Sequence, residues 1–554
     1  MTVAGDLDRL GVDELTPLDH YLAQQADLTP VERFARRPAS AALPAQARYH
    51  RELVPVTLPG PGQQYGFMVD LDACTGCKAC VTACHRVNGL DDGESWRSVG
   101  VVRAGGAERP YQQTVTASCH HCVDPGCLKG CPAKAYEKDP VTGVVVHLDE
   151  SCIGCRYCTM TCPYEVPRYN PARGIVRKCD LCTDRLVAGE APACVQACPN
   201  GAISVDVVDV ATARAASGGA LVTGAPPSST TVPTTAYRSA RTPAPRQPAG
   251  APVGPGQAHA PLAVMLVLTQ LAVGTSLVGL AVATLGGRSV AGPSRTANAV
   301  VALAVGVVAL AASVLHLGRP ERALRAVLGI RRSWLSREIV AFGAFAGLAA
   351  AHAWALLTGV GSPLEPLLGA LVALSGLAGV ACSVMVYAVT ARAWWAVPTT
   401  GVKFALTALA SGCATALVVA LGASLAAGAT GAGAVAAVPV APLAVLAAVA
   451  TGAQLLFETA VLRHLRPGAP DELRRTAVLL TRELRTATHW RFATGGLGLL
   501  ALVVVAPATA SGATPATGLA VALAATALLL AAQLLERSQF FTAVAPARMP
   551  GQPA

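Results

Sequence analysis

Sixteen of the eighteen cysteines fall between Cys74 and Cys198, and their spacing repeats. The first set is Cys74-x2-Cys77-x2-Cys80-x3-Cys84 and the second Cys119-x2-Cys122-x4-Cys127-x3-Cys131-Pro132. The third is Cys152-x2-Cys155-x2-Cys158-x3-Cys162-Pro163, and the fourth, stretched in its middle, Cys179-x2-Cys182-x11-Cys194-x3-Cys198-Pro199. An iron–sulfur cubane needs four thiolates around it, and a C-x2-C-x2-C loop turns tightly enough to offer three. The remaining cysteine, just before the proline, serves the other cluster of a two-cluster ferredoxin fold. Two such folds predict four [4Fe–4S] clusters. Zinc ribbons also use C-x2-C pairs, but a zinc site closes with four ligands and has no use for a third C-x2-C step and a Cys-Pro end. Disulfides suit short secreted chains. The stretch MTVAGDLDRLGVDELTPLDHYLAQQ has neither a basic segment leading into an apolar one nor a twin-arginine pair, so the first half is expected in the reducing cytosol.

The elements that must hold these thiols occupy less than half of the 554 residues, and the rest has a different composition. Hydrophobic residues make up 53% of the sequence and charged ones 14%, against roughly 25% charged in globular proteins. Residues 1–250 carry 24 basic and 25 acidic side chains and residues 251–554 carry 19 and 8, so the net charge of +10 comes from the second part. Cations spread over short breaks between apolar runs are membrane topology signals, which argues against a nucleic-acid partner. The expected organisation is a polar N-terminal arm (1–50), a four-cluster α+β ferredoxin-like domain (51–210), a flexible Pro/Gly/Ser/Thr-rich linker (211–258) and an all-α membrane bundle (259–554). Apolar runs of spanning length place eight helices near 262–284, 297–317, 338–359, 367–389, 402–426, 440–461, 490–509 and 515–535. With eight helices, the loops on the side of the cysteine domain carry seventeen Lys and Arg residues and the opposite side only Arg288 and Arg295. The positive-inside rule then puts the cysteine domain in the cytoplasm.

The stretches CHHCVDPGCLKGCPAKAY, DESCIGCRYCTMTCPYEVPRYN and KCDLCTDRLVAGEAPACVQACP resemble the iron–sulfur subunit of the dimethyl sulfoxide reductase family of molybdoenzymes, over about residues 65–210. The resemblance implies that the first set shares clusters with the fourth and the second with the third. The four ligand groups would be Cys74, Cys77, Cys80 with Cys198; Cys179, Cys182, Cys194 with Cys84; Cys119, Cys122, Cys127 with Cys162; and Cys152, Cys155, Cys158 with Cys131. SVLHLGRPERALRAVLGIRRSWLSREIV (313–340) and LLERSQFFT (534–542) are similar to the membrane anchor of the same family, in which the two parts are separate subunits. This resemblance implies electron transfer from menaquinol or another quinol, through the clusters, to a separate molybdopterin-containing catalytic subunit, with no substrate-reducing site in this chain. Two other readings stay open: reverse flow from a formate-type dehydrogenase to quinone, and a membrane-tethered polyferredoxin serving soluble partners.

Ionisable groups near the membrane are few, so each carries information. His316 and Glu338 flank one basic loop and form the expected quinol-binding pair. The plainer reading pairs Glu338 with Arg337 or Arg331 and has His316 cap a helix. His352, Glu458, His464 and His489 read as solvated or interhelical polar groups. Haem would need paired axial ligands inside the bundle, and His316 and His352 sit at different depths. Cys382 and Cys413 read as small apolar residues, and Trp334, Trp394 and Trp395 as interfacial anchors.

Overall fold

The computed structural model describes residues 57–104, 111–241, 254–285, 287–359, 363–426, 440–466, 471–510 and 514–551, with short pieces at 16–19, 55 and 428. The N-terminal arm therefore lies almost entirely outside the described residues.

The cysteine domain is built from small sheets and short helices around its thiols. Strand β1 (Gln63–Asp70) pairs antiparallel with β8 (Ile203–Asp209), Phe67 opposite Val205, and parallel with β9 (Ala236–Arg238), Met68 opposite Ala236. Three hairpin pairs complete the sheets: β2 (Ser98–Ala104) with β3 (Tyr111–Ala117), β4 (Tyr136–Lys138) with β5 (Val145–His147), and β6 (Arg168–Asn170) with β7 (Ile175–Arg177). Helices α1 (Ala79–Val87), α2 (Gly126–Gly130), α3 (Tyr157–Thr161), α4 (Thr183–Val187) and α5 (Ala193–Gln196) each carry or directly follow cysteines. Three of their entries share a left-handed turn: Lys78 (φ 63°), Arg156 (φ 59°) and Cys182 (φ 50°) precede α1, α3 and α4. Inside the first loops, Gly76 (φ 78°) and Gly154 (φ 70°) reverse the backbone between one cysteine and the next, a conformation that side chains with a Cβ resist.

The stretch 211–258, expected as a flexible linker, is folded over its described first part. Helix α6 (Val210–Ala216), a 3₁₀ turn at Ser228–Thr230 and β9 all lie within it. Ser228, Thr231 and Thr234 are buried, and the Thr234 hydroxyl donates to the His120 carbonyl at 2.9 Å. Small polar side chains that normally mark loops here bond the backbone between two cysteines. Residues 242–253 lie outside the described residues.

Among the described residues, eight helices are long and apolar enough to cross a membrane. They are α7 (Ala260–Leu285), α8 (Gly287–Val314), α9 (Trp334–Thr358), α10 (Glu365–Ala388), α11 (Val397–Ala426), α12 (Val440–Thr459), α14 (Arg485–Ala510) and α15 (Pro515–Thr542). A shorter helix, α13 (Asp471–Thr481), lies between the last pairs. Small residues let backbones meet: a side chain on Gly274 of α7 would collide with Ala408 of α11, and one on Gly412 with Gly274.

Among the described residues, several contacts besides the covalent connection join the bundle to the cysteine domain. The loop between α8 and α9 lies on the domain: Gly318 N donates to Gly154 O (3.3 Å), Arg319 N to Ile153 O (3.1 Å), Gly329 N to Pro132 O (2.7 Å) and Ser333 Oγ to Gly130 O (2.6 Å). After α15 the polypeptide turns back as a strap. Ala545 and Met549 are buried, Met549 within the core of the cysteine domain. Arg548 reaches Glu165 at 3.3 Å, and Gly551 lies so close to β2 that a side chain on Gly100 would strike it.

Trp394 and Trp395, expected at the membrane interface, are buried instead. Trp395 Nε1 donates to Phe540 O at 2.9 Å and its ring stacks on Phe540 at 5.4 Å. The 3₁₀ turn that carries them is covered from above, because Arg392 lies 3.9 Å from Glu165 of the cysteine domain.

Candidate functional site

None of the sixteen cysteines is in a disulfide, most are buried, and their thiols lie within electrostatic reach of one another across the four sequence sets. Cys74 lies in reach of Cys77 and Cys198, and Cys80 of Cys194 and Cys198. Cys84 neighbours Cys182 and Cys194; Cys122 neighbours Cys119, Cys127 and Cys162; Cys155 and Cys158 neighbour Cys131 and Cys152. No three His, Cys, Asp or Glu side chains among the described residues converge on a single ion. A cubane is larger than an ion and takes its thiolates from further apart, which these groups fit. Several sulfurs already accept backbone N–H groups: Cys131 from Ala135 (3.2 Å), Cys152 from Gly154 (3.4 Å), Cys179 from Leu181 (3.4 Å) and Cys198 from Ala202 (3.2 Å). Burial pushes the Cys84 thiol up to about 12 and Cys162 up to about 11.

Around the thiols stands a set of polar residues that spacing gives no hint of. Arg97, buried, donates to Thr116 Oγ1 (3.2 Å) and Ser118 Oγ (2.8 Å) and lies among Cys80, Cys84, Cys179 and Cys194, whose nearness holds its guanidinium above the usual range. Thr116 Oγ1 is in turn 3.6 Å from Cys80 Sγ. Lys178, also buried, lies among Cys119, Cys127 and Cys179 and donates to Val145 O and to Cys179 O. His121 accepts the Val145 N–H at Nδ1 (3.1 Å), which leaves its proton on Nε2, 4.0 Å from Cys179 Sγ. His147 is held by Asp149 (2.8 Å) beside Cys152, and Tyr136 stands beside Cys158.

A second site lies where the bundle meets the domain. A cavity of about 160 Å³ is lined by Cys155 and Tyr157 of the domain and by His316, Glu338, Phe342 and Tyr387 of the bundle. The sequence singled out His316 and Glu338, and the fold brings both to this one space. His316 Nε2 faces Cys155 O at 3.2 Å, so it donates there and keeps Nδ1 as an acceptor. Burial and the neighbouring Arg156 pull its imidazole down to about 4. Glu338 is buried near the start of α9 and accepts the Ser383 hydroxyl. Neither pairing with Arg337 nor with Arg331 occurs: Arg337 donates to the carbonyls of Ile330 and Arg331 and lies over Trp334. Tyr157 donates to Val386 O at 2.6 Å, fastening the third cysteine set to α10. The remaining ionisable residues do not join this space. His352 bonds Glu365 at 3.3 Å, beside Arg295, and Glu458 pairs with Arg491.

Comparisons with known proteins match the two parts separately. A 4Fe-4S dicluster domain family matches residues 111–208, and the family of the DMSO reductase anchor subunit (DmsC) matches residues 253–543. The protein is similar to the B subunit of the anaerobic dimethyl sulfoxide reductase of Escherichia coli strain K12, 42% identical over 154 residues, covering 26% of this sequence and 75% of that protein. It is similar to the same subunit of Haemophilus influenzae, 40% identical over 156 residues, covering 26% and 76%. The formate dehydrogenase-O iron-sulfur subunit of Escherichia coli strain K12 is 38% identical over 152 residues, covering 24% of this sequence and 51% of that subunit.

Proposed function

We infer the work of this protein from its membership of the DMSO reductase anchor family, to which it belongs over residues 253–543, and from the iron–sulfur domain of the same reductase type fused in front of it. It is an electron-transfer and anchor protein of a respiratory complex, and the reading proposed here is that it oxidises a membrane quinol and delivers the electrons to a separate molybdopterin-containing subunit. The carrying observation is that Cys155, His316 and Glu338 line one cavity. When bound, four [4Fe–4S] clusters would pass single electrons along the domain. The residues proposed to hold them are Cys74, Cys77, Cys80 and Cys198; Cys84, Cys179, Cys182 and Cys194; Cys119, Cys122, Cys127 and Cys162; and Cys131, Cys152, Cys155 and Cys158.

The rest of the chemistry belongs to side chains. A quinol seated between bundle and domain would place one hydroxyl at Glu338, which takes its proton, and the other at His316 Nδ1, the acceptor left free when Nε2 binds Cys155 O. Phe342 and Tyr387 supply the apolar and aromatic wall a quinol ring needs. The group holding Cys155 is then the entry point for electrons. The same contacts serve the opposite direction; the match to a reductase anchor favours quinol as the donor.

The proposed side of the membrane is the cytoplasmic one. Three of the seventeen cations counted toward the domain side, Lys403, Arg491 and Arg537, are buried within the spanning helices. The remaining fourteen still outweigh Arg288 and Arg295.

The test is stopped-flow reduction of the clusters by a water-soluble naphthoquinol. Glu338→Gln and His316→Ala should abolish it while iron content and reduction by dithionite stay at the parent level. Full quinol-driven reduction in both variants would move the pocket elsewhere.

A further inference from the structure

The cavity between Cys119, Cys122, Cys127 and Cys162 holds more than thiols, because His120 and Lys178 line it with them. His120 is 2% exposed, and neither of its ring nitrogens has a hydrogen-bond partner among the described residues. An imidazole carries at least one N–H whatever its charge. A buried donor left bare is costly, and in a native fold it calls for an acceptor that is not a protein atom. The residue is held firmly in this position. Thr234 N (3.2 Å) and Thr234 Oγ1 (2.9 Å) both donate to its carbonyl, and its ring stands edge-on to Tyr164 at 4.4 Å.

Lys178 has a donor to spare in the same place. Its ammonium offers three N–H groups, and two of them go to the carbonyls of Val145 and Cys179, the latter at 2.8 Å. The third is left for the cavity, where Cys119 and Cys127 lie in electrostatic reach. A buried cation is costly unless negative charge stands beside it. A cubane held by four thiolates supplies that charge, and its sulfurs accept hydrogen bonds that help set its potential. The cavity also has a neighbour on either side. Tyr136 stands in electrostatic reach of Cys127 and also of Cys131 and Cys158, while Lys178 bonds the backbone of Cys179 in the fourth set.

We propose that His120 and Lys178 each donate a hydrogen bond to the iron–sulfur cluster of Cys119, Cys122, Cys127 and Cys162 and raise its reduction potential. The proposal rests on the cluster assignment above and adds what sets one of the potentials. Both are positioning residues, since neither ligates iron. The step they favour adds one electron to this cluster as the neighbouring group of Cys131, Cys152, Cys155 and Cys158 loses one. No proton moves and both N–H bonds stay intact. They bind the sulfurs more strongly once the added charge is there, which is why they favour the reduced form.

The experiment uses full-length protein prepared anaerobically, with iron measured in every sample and a redox titration followed by electron paramagnetic resonance. His120→Phe keeps a ring against Tyr164 and loses the N–H, Lys178→Met loses donor and charge, and Lys178→Arg keeps both. In His120→Phe and Lys178→Met the same cluster should become harder to reduce, its reduction constant falling about tenfold, or about 59 mV for a one-electron couple. Lys178→Arg should restore most of that loss, which a packing defect would not allow. In reduced protein carrying isotope-labelled histidine, pulsed resonance should show a histidine nitrogen coupled to a cluster, and His120→Phe should lack that coupling. Full iron with parent potentials and parent coupling in His120→Phe overturns the proposal and leaves the cluster assignment standing. If a variant loses its cluster, the parent spectrum decides, and the absence of any histidine coupling there overturns the proposal. A parent protein without iron overturns the assignment as well.

Discussion

Replacing Arg97 with Met should lower the reduction potentials of the two proposed clusters whose cysteines surround it. Its Nη1 is 3.2 Å from Thr116 Oγ1, which is 3.6 Å from Cys80 Sγ, so the positive charge stands no more than about 7 Å from that sulfur. At an effective dielectric of about 20, unit charges at that distance interact by roughly 2 kcal/mol. Reduction adds one negative charge to a cluster, and a nearby cation favours the reduced form. For a one-electron couple that energy corresponds to about 100 mV, so the cluster of Cys74, Cys77, Cys80 and Cys198 should become harder to reduce by about that much. The cluster of Cys84, Cys179, Cys182 and Cys194 should follow, since Arg97 lies among those sulfurs too. Arg97→Lys keeps the charge and should keep most of the potential. The assay is a redox titration followed by electron paramagnetic resonance on anaerobically prepared protein, with iron measured in each sample. An Arg97→Met protein with full iron and unshifted potentials would refute the reasoning.

Iron and acid-labile sulfide should each come to about sixteen per protein molecule, four per cubane, and Cys158→Ser should lose or convert one cluster before any other; zinc in place of iron would end the cluster assignment. A protease site inserted after Glu190, on an exposed stretch of the domain, and a reporter joined after Ala554 should both report the cytoplasmic side, and finding either outside would reverse the orientation. Met549→Ala removes a buried side chain from the domain core and should cost about 2 kcal/mol or more of stability in denaturant titrations. Deleting Val544 onward should slow quinol-driven reduction and spare reduction by dithionite, and unchanged kinetics would show the strap to be idle.

What could be read from the sequence was what chemistry confines to rare residues and fixed spacing. Cubane geometry restricts where cysteines stand, so the sixteen thiols and the α+β domain around them were legible before any coordinates. His316 and Glu338 stood out because ionisable residues near a membrane are scarce, and the fold brings them to one cavity. Arg97, Lys178, His121 and His147 carried no such signal, because a polar residue beside a cysteine reads the same whether it faces sulfur or solvent. Residues 211–241 misled for the opposite reason: Pro, Ser and Thr suggest a linker, yet here Thr231 and Thr234 satisfy backbone groups in the interior. The tryptophan pair misled because an arginine neighbour means an interface only when water or lipid, not another domain, lies above it.

The strap after α15 orders events in the making of the protein. Val544–Gly551 are synthesised after every residue they touch, and their seat against β2 and the core around Met549 must already exist when they arrive. The rest of the cysteine domain is made hundreds of residues earlier and waits for Met549 to complete its core. Only a polypeptide that has made its last long apolar helix can lay the strap down, so one stalled before that point leaves the seat of Met549 empty and the face of β2 at Gly100 uncovered.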